Sequence, residues 1–306
     1  MPLWSLGSSF AALALLLVSA PFVPGVASRT KSILTGRRGP PAWQLYADLW
    51  KLARRGVVYS TSTTWIFRAA PVVLVATTVM ASALLPLDGR RAVLPFTGDA
   101  VAFAYLLALG RFALVLAAMD TGSSFEGMGA SREVTFATLV EPGLFVALAA
   151  LAISSRELTL TTMLGENVGR WPTIGPSLVM LATSLFALSL AECARVPVDD
   201  PDTHLELTMV HEVMVLDHSG PDLAMIMYAH ALKLGVFAAI VLDVVQPGRR
   251  PGGLRGLLAL SAALVGFGVA IGLVESLVAR LRFPKIPLYI AAGSAIGLFG
   301  LILLLR

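Results

Sequence analysis

Cysteine is almost missing from this chain: its 306 residues contain one, Cys193. An intramolecular disulfide is impossible, and an iron–sulfur cluster, which needs several thiolates, has no ligand set here. Charge is also scarce. Asp, Glu, Lys and Arg make up 14% of the residues, against about 25% in a soluble domain. With 57% hydrophobic residues and a mean hydropathy of +0.80, the chain carries more apolar surface than one water-soluble core can hide. The composition predicts an integral membrane protein. A Gly-rich phosphate loop and a Gly-x-Ser-x-Gly elbow are both missing. His211-Glu212 opens like a zinc protease motif, but position 215 is Val, so the second histidine is lacking. There is no nucleic-acid motif, and a net charge of +4 does not demand an anionic polymer as partner.

What is present is a succession of membrane-length apolar runs. The first covers residues 6–27. No basic residues precede it, so it reads as a retained span rather than a signal peptide. Further runs follow at about 69–87, 99–119, 136–154, 174–194, 223–245, 254–276 and 286–305. Each approaches the roughly 20 residues needed to cross a bilayer. The expectation is an all-α membrane protein of about eight transmembrane helices, forming one polytopic domain over residues 1–306. Residues 28–68 hold eight Lys/Arg and one acid, Asp48, which places this loop in the cytoplasm. Within it, Trp43, Leu45, Tyr46, Leu49, Trp50 and Leu52 recur at helical spacing, predicting an amphipathic surface helix over 43–54.

The densest chemistry lies between the fifth and sixth spans, in a cytoplasmic loop over 195–222 and the residues before it. Eight acids fall between Glu192 and Asp222, together with three of the four histidines, His204, His211 and His218. Proline at 197 and 201, with Asp202 or Thr203 as cap, predicts a helix over 203–216. On a helix the seven-residue spacing puts the histidines on one face, too far apart to share a metal. Other ionisable groups fall inside the spans. Asp120, Asp243 and Glu275 are adequately read as helix-end charges. Arg111 and Lys233 lie mid-run, where a charge costs at least about 2.5–3.5 kcal/mol, and should therefore pair inside the bundle. Glu141, Glu192, Glu206, His230 and Lys233 are the candidates for a buried proton relay.

Four segments together resemble a known family: GRRGPPAWQLYADLWKL, GASREVTFATLVEP, AECARVPVDDP with THLELTMVHE, and LRFPKIP. They are similar to the subunit 1 (H-type) membrane anchor of respiratory complex I and its relatives in membrane-bound nickel–iron hydrogenases. The spellings VDDP and HLEL, and the absence of Asp-Gln at Pro287-Leu288, are closer to the formate hydrogenlyase subunit 4 and hydrogenase-4 component C branch. The resemblance implies a non-catalytic anchor that docks an iron–sulfur arm with hydrogenase-like large and small subunits, beside antiporter-like membrane subunits. Iron–sulfur clusters and a nickel–iron centre would belong to those partners, with no cofactor in this chain. Arg37, Asp48, Arg132, Arg195 and Asp199 would belong to the docking loops, and Glu141, Glu192 and Glu206 to the family's acidic channel. A quinone-chamber subunit and a stand-alone ion transporter are the competing readings. The transporter reading lacks a detectable internal repeat.

Overall fold

The computed structural model describes residues 3–89, 91–166, 171–199, 209–246 and 253–306. They form helices α1 (Leu3–Ser19), α2 (Phe22–Leu34), α3 (Gln44–Ala53), α4 (Trp65–Ala83), α5 (Asp99–Asp120), α6 (Ser124–Ser155), α7 (Leu160–Glu166), α8 (Trp171–Glu192), α9 (Gly220–Val245), α10 (Leu254–Leu277) and α11 (Ile286–Leu304). Short 3-10 turns occupy Glu212–Val215 and Phe283–Lys285. No strand occurs among the described residues. Among the described residues seven helices are long and apolar enough to span, and α1 and α2, bent by 48° at their junction, make up to eight if the pair is counted as one span. The all-α membrane architecture expected from composition is therefore what the chain forms.

Three differences from the expected layout have physical causes. The first run breaks at Pro21, whose missing N–H cannot continue a helix ladder. Beyond the break α2 continues to Leu34, so residues 28–34 are helical rather than loop; it stops at Gly36, whose φ of 68° only glycine adopts without strain. Next, α6 is a single 32-residue helix that includes both the GASRE segment and Glu141-Pro142. A proline inside a membrane helix is tolerated where neighbouring helices support the freed carbonyl. Finally, the helix expected over 203–216 is not found in its described part. Only Glu212–Val215 turns, as a 3-10 helix, and 200–208 lie outside the described residues. The Asp199 carboxylate accepts the Val210 N–H at 3.0 Å, a tertiary bond that displaces the local helix ladder.

Successive spans run antiparallel, so loops gather at two ends. At one end Val58 N–H donates to Ser219 Oγ, Arg280 pairs with Asp199, and Arg195 pairs with Glu275. At the other, Asp99 accepts the Leu160 N–H and Ser8 donates to Asp88. The first end contains both stretches singled out by sequence. There α6 supports the acidic loop through a gap in its side chains. A Cβ on Gly129 would collide with Val213 Cγ1 and stand 3.0 Å from Met214 Cγ and 3.2 Å from the Val210 carbonyl. Gly129→Ala is expected to lower the unfolding free energy by about 1–3 kcal/mol through overpacking. Thermal unfolding in detergent, with hydrogen exchange across 209–216, measures this; an unchanged melting point and unchanged exchange would refute the close seating.

Candidate functional site: a line of buried charges

The centre of the bundle holds a cluster of opposite charges drawn from four helices. Arg111 on α5 is 8% exposed and Lys233 on α9 is 6% exposed. Both meet the carboxylate of Glu192, the last residue of α8. Lys233 Nζ lies 2.8 Å from Glu192 Oε1 and also donates to the Glu192 backbone carbonyl at 2.9 Å. Arg111 Nη2 lies 3.2 Å from the same oxygen and 2.9 Å from Glu141 Oε1 on α6. The two cations expected to need partners thus find two carboxylates. Glu141 is different in setting: its side chain is 39% exposed, at the rim of the bundle.

The line continues toward the loop end. Glu133, which precedes Glu141 on α6, has its Oε2 3.1 Å from His211 Nδ1. The His211 ring stands 4.5 Å from that of His230, three residues before Lys233 on α9. Two contact groups result, His211 with Glu133 and His230, and Lys233–Glu192–Arg111–Glu141, joined by α9, on which His230 and Lys233 are one turn apart. A cavity of about 50 Å³ touches Arg111, Glu141 and Glu192 and is otherwise walled by side chains such as Phe103, Leu107, Phe237 and Ile240. That volume admits a few water molecules. At the loop end, cavities of about 200 and 390 Å³ share His211, Glu212, Met227 and His230 in their walls.

Of the predicted relay residues, Glu141, Glu192 and Lys233 are in direct contact through Arg111 and each other. His230 joins through His211, while Glu206 lies outside the described residues. Glu133 was not anticipated. Its signal is the stripe Glu126, Glu133 and Glu141 on one face, visible only when 124–155 is read as one helix. Glu275 is no snorkelling helix-end charge: it is buried and paired with Arg195 at 3.3 Å. Asp120 accepts the Thr64 N–H at 2.7 Å and so fixes the start of α4. Asp243 is buried on α9. His211 and His218 do not share a helical face. His218 stacks on Phe67 of α4 at 3.9 Å between ring centroids.

The predicted docking residues fall into two kinds. Arg37 is exposed, and Asp48, half-buried, accepts from Gln44 at 3.1 Å. Asp199 is buried against Arg280 at 2.8 Å. Arg132 donates to the Met209 carbonyl at 3.0 Å and lies 4.6 Å over the Phe283 ring. With Arg195 these residues tie the loop to α6, α10 and the start of α11 from within. Among the described residues no three His, Cys, Asp or Glu side chains form a metal-holding group.

Fold and site together define a class: a polytopic α-helical membrane protein with a charge network buried across its core. The chain belongs to the NADH dehydrogenase family, whose model matches residues 8–304. It is 32% identical to Escherichia coli (strain K12) formate hydrogenlyase subunit 4 over 302 residues, covering 95% of each chain. It is 33% identical to hydrogenase-4 component C of the same organism over 235 residues, covering 76% of this chain and 73% of that one. Against the H-type subunit of NADH-quinone oxidoreductase from Frankia casuarinae the identity is 26% over 252 residues, 78% of this chain and 55% of the relative. The family resemblance drawn from motifs is borne out. The fold matches a chain in a solved structure of the membrane-bound sulfane sulfur reductase, described as an archaeal respiratory membrane complex. The TM-score is 0.81, at 19% identity, over 97% of this chain and 99% of that one.

Two outcomes test the geometry. Removing one partner of a buried pair costs about 3–5 kcal/mol. Lys233→Met is therefore expected to destabilise the chain on that scale, and Glu192→Leu with Lys233→Met by less than the sum of the singles, because Arg111 retains Glu141. Strict additivity in a denaturation cycle would contradict the pairing. The second concerns His218, outside the spans, whose burial pushes its pKa down to about 4 from 6.5 against the opposing pull of Asp222 and Asp217. The unfolded chain then binds the extra proton first. Stability is full above pH 6.5 and falls as pH drops from 6.5 toward 4. His218→Leu should flatten that part of a stability–pH curve; an unaltered slope would contradict the assignment.

Proposed function

We propose that this chain is the membrane anchor and energy-coupling subunit of a hydrogenase-like oxidoreductase complex related to complex I. The observation that carries the reading is the succession of ionisable groups, His211 with Glu133 and His230 at the loop end and then Lys233, Glu192, Arg111 and Glu141 at the bundle rim. Supporting it, two relatives above 30% identity are named as a hydrogenase component and a formate hydrogenlyase subunit. The basic 28–68 region and the 195–222 loop face the cytoplasm in this account. There they receive the arm that carries iron–sulfur clusters and hydrogenase-like large and small subunits. Arg37 and Asp48 contact the arm from the surface, while Arg132, Arg195 and Asp199 hold the receiving loop in shape. Glu206 contributes a further carboxylate from the same loop.

In the membrane the proposed work is proton transfer. Arg111 Nη2 lies 2.9 Å from Glu141 and 3.2 Å from Glu192, and Arg111 Nη1 donates to the other Glu192 oxygen at 3.4 Å. When a proton neutralises Glu192, Arg111 keeps Glu141 and Lys233 keeps the Glu192 backbone carbonyl, so no buried charge is left without a partner. The proton reaches this point from His211 through Glu133. It leaves toward Glu141, where antiporter-like membrane subunits would continue the route. Waters in the small cavity beside Arg111 bridge the gaps between the fixed groups.

A second reading, a quinone chamber, is favoured by one observation: the loop-end cavities are walled by Met227, Leu234, Val215 and Leu216 as well as by histidines. Quinone-dependent turnover of the intact complex would decide for it. For the main reading, purification in mild detergent should retain a nickel–iron hydrogenase-like large subunit and a small iron–sulfur subunit; recovery as a lone active transporter would refute it. Within such a complex Glu192→Gln should cut proton translocation by tenfold or so while leaving dye-linked hydrogen turnover within about twofold, as expected when one carboxylate of a relay is removed. Unchanged coupling would remove Glu192 from the route.

A further inference from the structure

The amphipathic helix α3 presents two unlike faces. Leu45, Tyr46, Leu49 and Leu52 are partly buried, and the helix packs on α2 and α9. The opposite face carries Trp43 and Trp50, 65% and 62% exposed, with Ala47 between them and Lys51 and Arg54 beside them. Trp43, Ala47, Trp50 and Arg54 follow the four-three-four spacing of one helical stripe. Arg54 lies over the Trp50 ring, 4.2 Å from its centroid. None of these four exposed side chains is needed to hold the helix in place. That is done elsewhere: the Tyr46 hydroxyl donates to the Val18 carbonyl at 2.6 Å, and Ala42 packs closely against Gly25. Those contacts seat α3 against the bend of the first span, on the flank of the bundle.

A flank helix with two exposed indoles and adjacent cations has the chemistry of a bilayer interface. Indole rings concentrate at headgroup depth, and each nearby Lys or Arg adds attraction to an anionic surface. Stacking over Trp50 leaves the outer edge of the Arg54 guanidinium open to donate to phosphate oxygens. We propose that this face of α3 is a binding surface for anionic phospholipid headgroups, held by Trp43, Trp50, Lys51 and Arg54. The helix's one acid, Asp48, is half-buried and accepts from Gln44, so it does not offset the positive charge of Lys51 and Arg54 on the exposed face. The proposal is independent of the relay reading. It assigns the tilt of α3 and the membrane depth of the first loop to lipid charge.

The test uses the full chain in nanodiscs of phosphatidylcholine with a fixed minor fraction of phosphatidylglycerol, brominated on one lipid or the other near the headgroup. Subtracting the fluorescence of Trp50→Phe isolates the Trp50 signal from the other four tryptophans. Brominated phosphatidylglycerol should quench Trp50 about twofold or more beyond brominated phosphatidylcholine at equal fraction. High salt and the Lys51→Gln, Arg54→Gln variant should each bring that ratio close to one. Equal quenching by both lipids in the wild type, meaning plain bilayer contact, would overturn the proposal. So would quenching by neither, meaning a face covered by protein or bathed in water.

Discussion

The clamp of Lys233 and Arg111 on the Glu192 carboxylate is the interaction on which the arrangement depends. A lone cation in the middle of a membrane span is costly, and two are more so. Bringing α5, α6, α8 and α9 together in one register lets Arg111 and Lys233 each meet a carboxylate within 3.2 Å. The pairing is specific as well as neutralising. Glu192 closes α8 just before the chain turns into the acidic loop, so the position of that loop follows from the clamp. Arg195, three residues on, ties it to Glu275 of α10, and Asp199 ties it to Arg280.

The same geometry joins two regions that would otherwise be separate. His211 belongs to the loop and Glu133 to a span, and their contact at 3.1 Å makes the loop a continuation of the buried network. Small residues make this possible. Gly129 lets the 212–215 turn lie directly on α6, one turn before Glu133. At the far end of the line, Glu141 stands at the rim, next to exposed Tyr105 and Phe145 around the same cavity. A network with one end under a loop and the other at the bundle surface is suited to connecting neighbours.

Much of the fold was legible in the sequence because spans are a matter of length and hydropathy. The need of Arg111 and Lys233 for partners was legible too, from their mid-run positions. The identities of the partners were only partly so. Glu192 and Glu141 stood out as acids at span ends. Glu133 did not, because Glu141-Pro142 reads locally as a helix boundary and hides the stripe that links them. The fate of Arg195, Asp199 and Glu275 depends on contacts between residues about 80 apart in the chain, which periodicity does not report. His211 and His218 share a spacing that suggests one face. Yet a tertiary bond from Asp199 to the Val210 N–H prevents the helix that would give that spacing meaning.

In the proposed function protons move along this line and not merely near it. The most direct measurement is redox-driven proton translocation by the intact complex in sealed vesicles, comparing Glu133→Gln with Asp99→Asn. Both residues are buried acids, but Asp99 lies at the opposite end of the bundle and off the line, bonded to Leu160. If protons follow this line, Glu133→Gln loses most translocation while redox turnover persists, and Asp99→Asn retains it. Full translocation by Glu133→Gln, or equal loss in both variants, would contradict it.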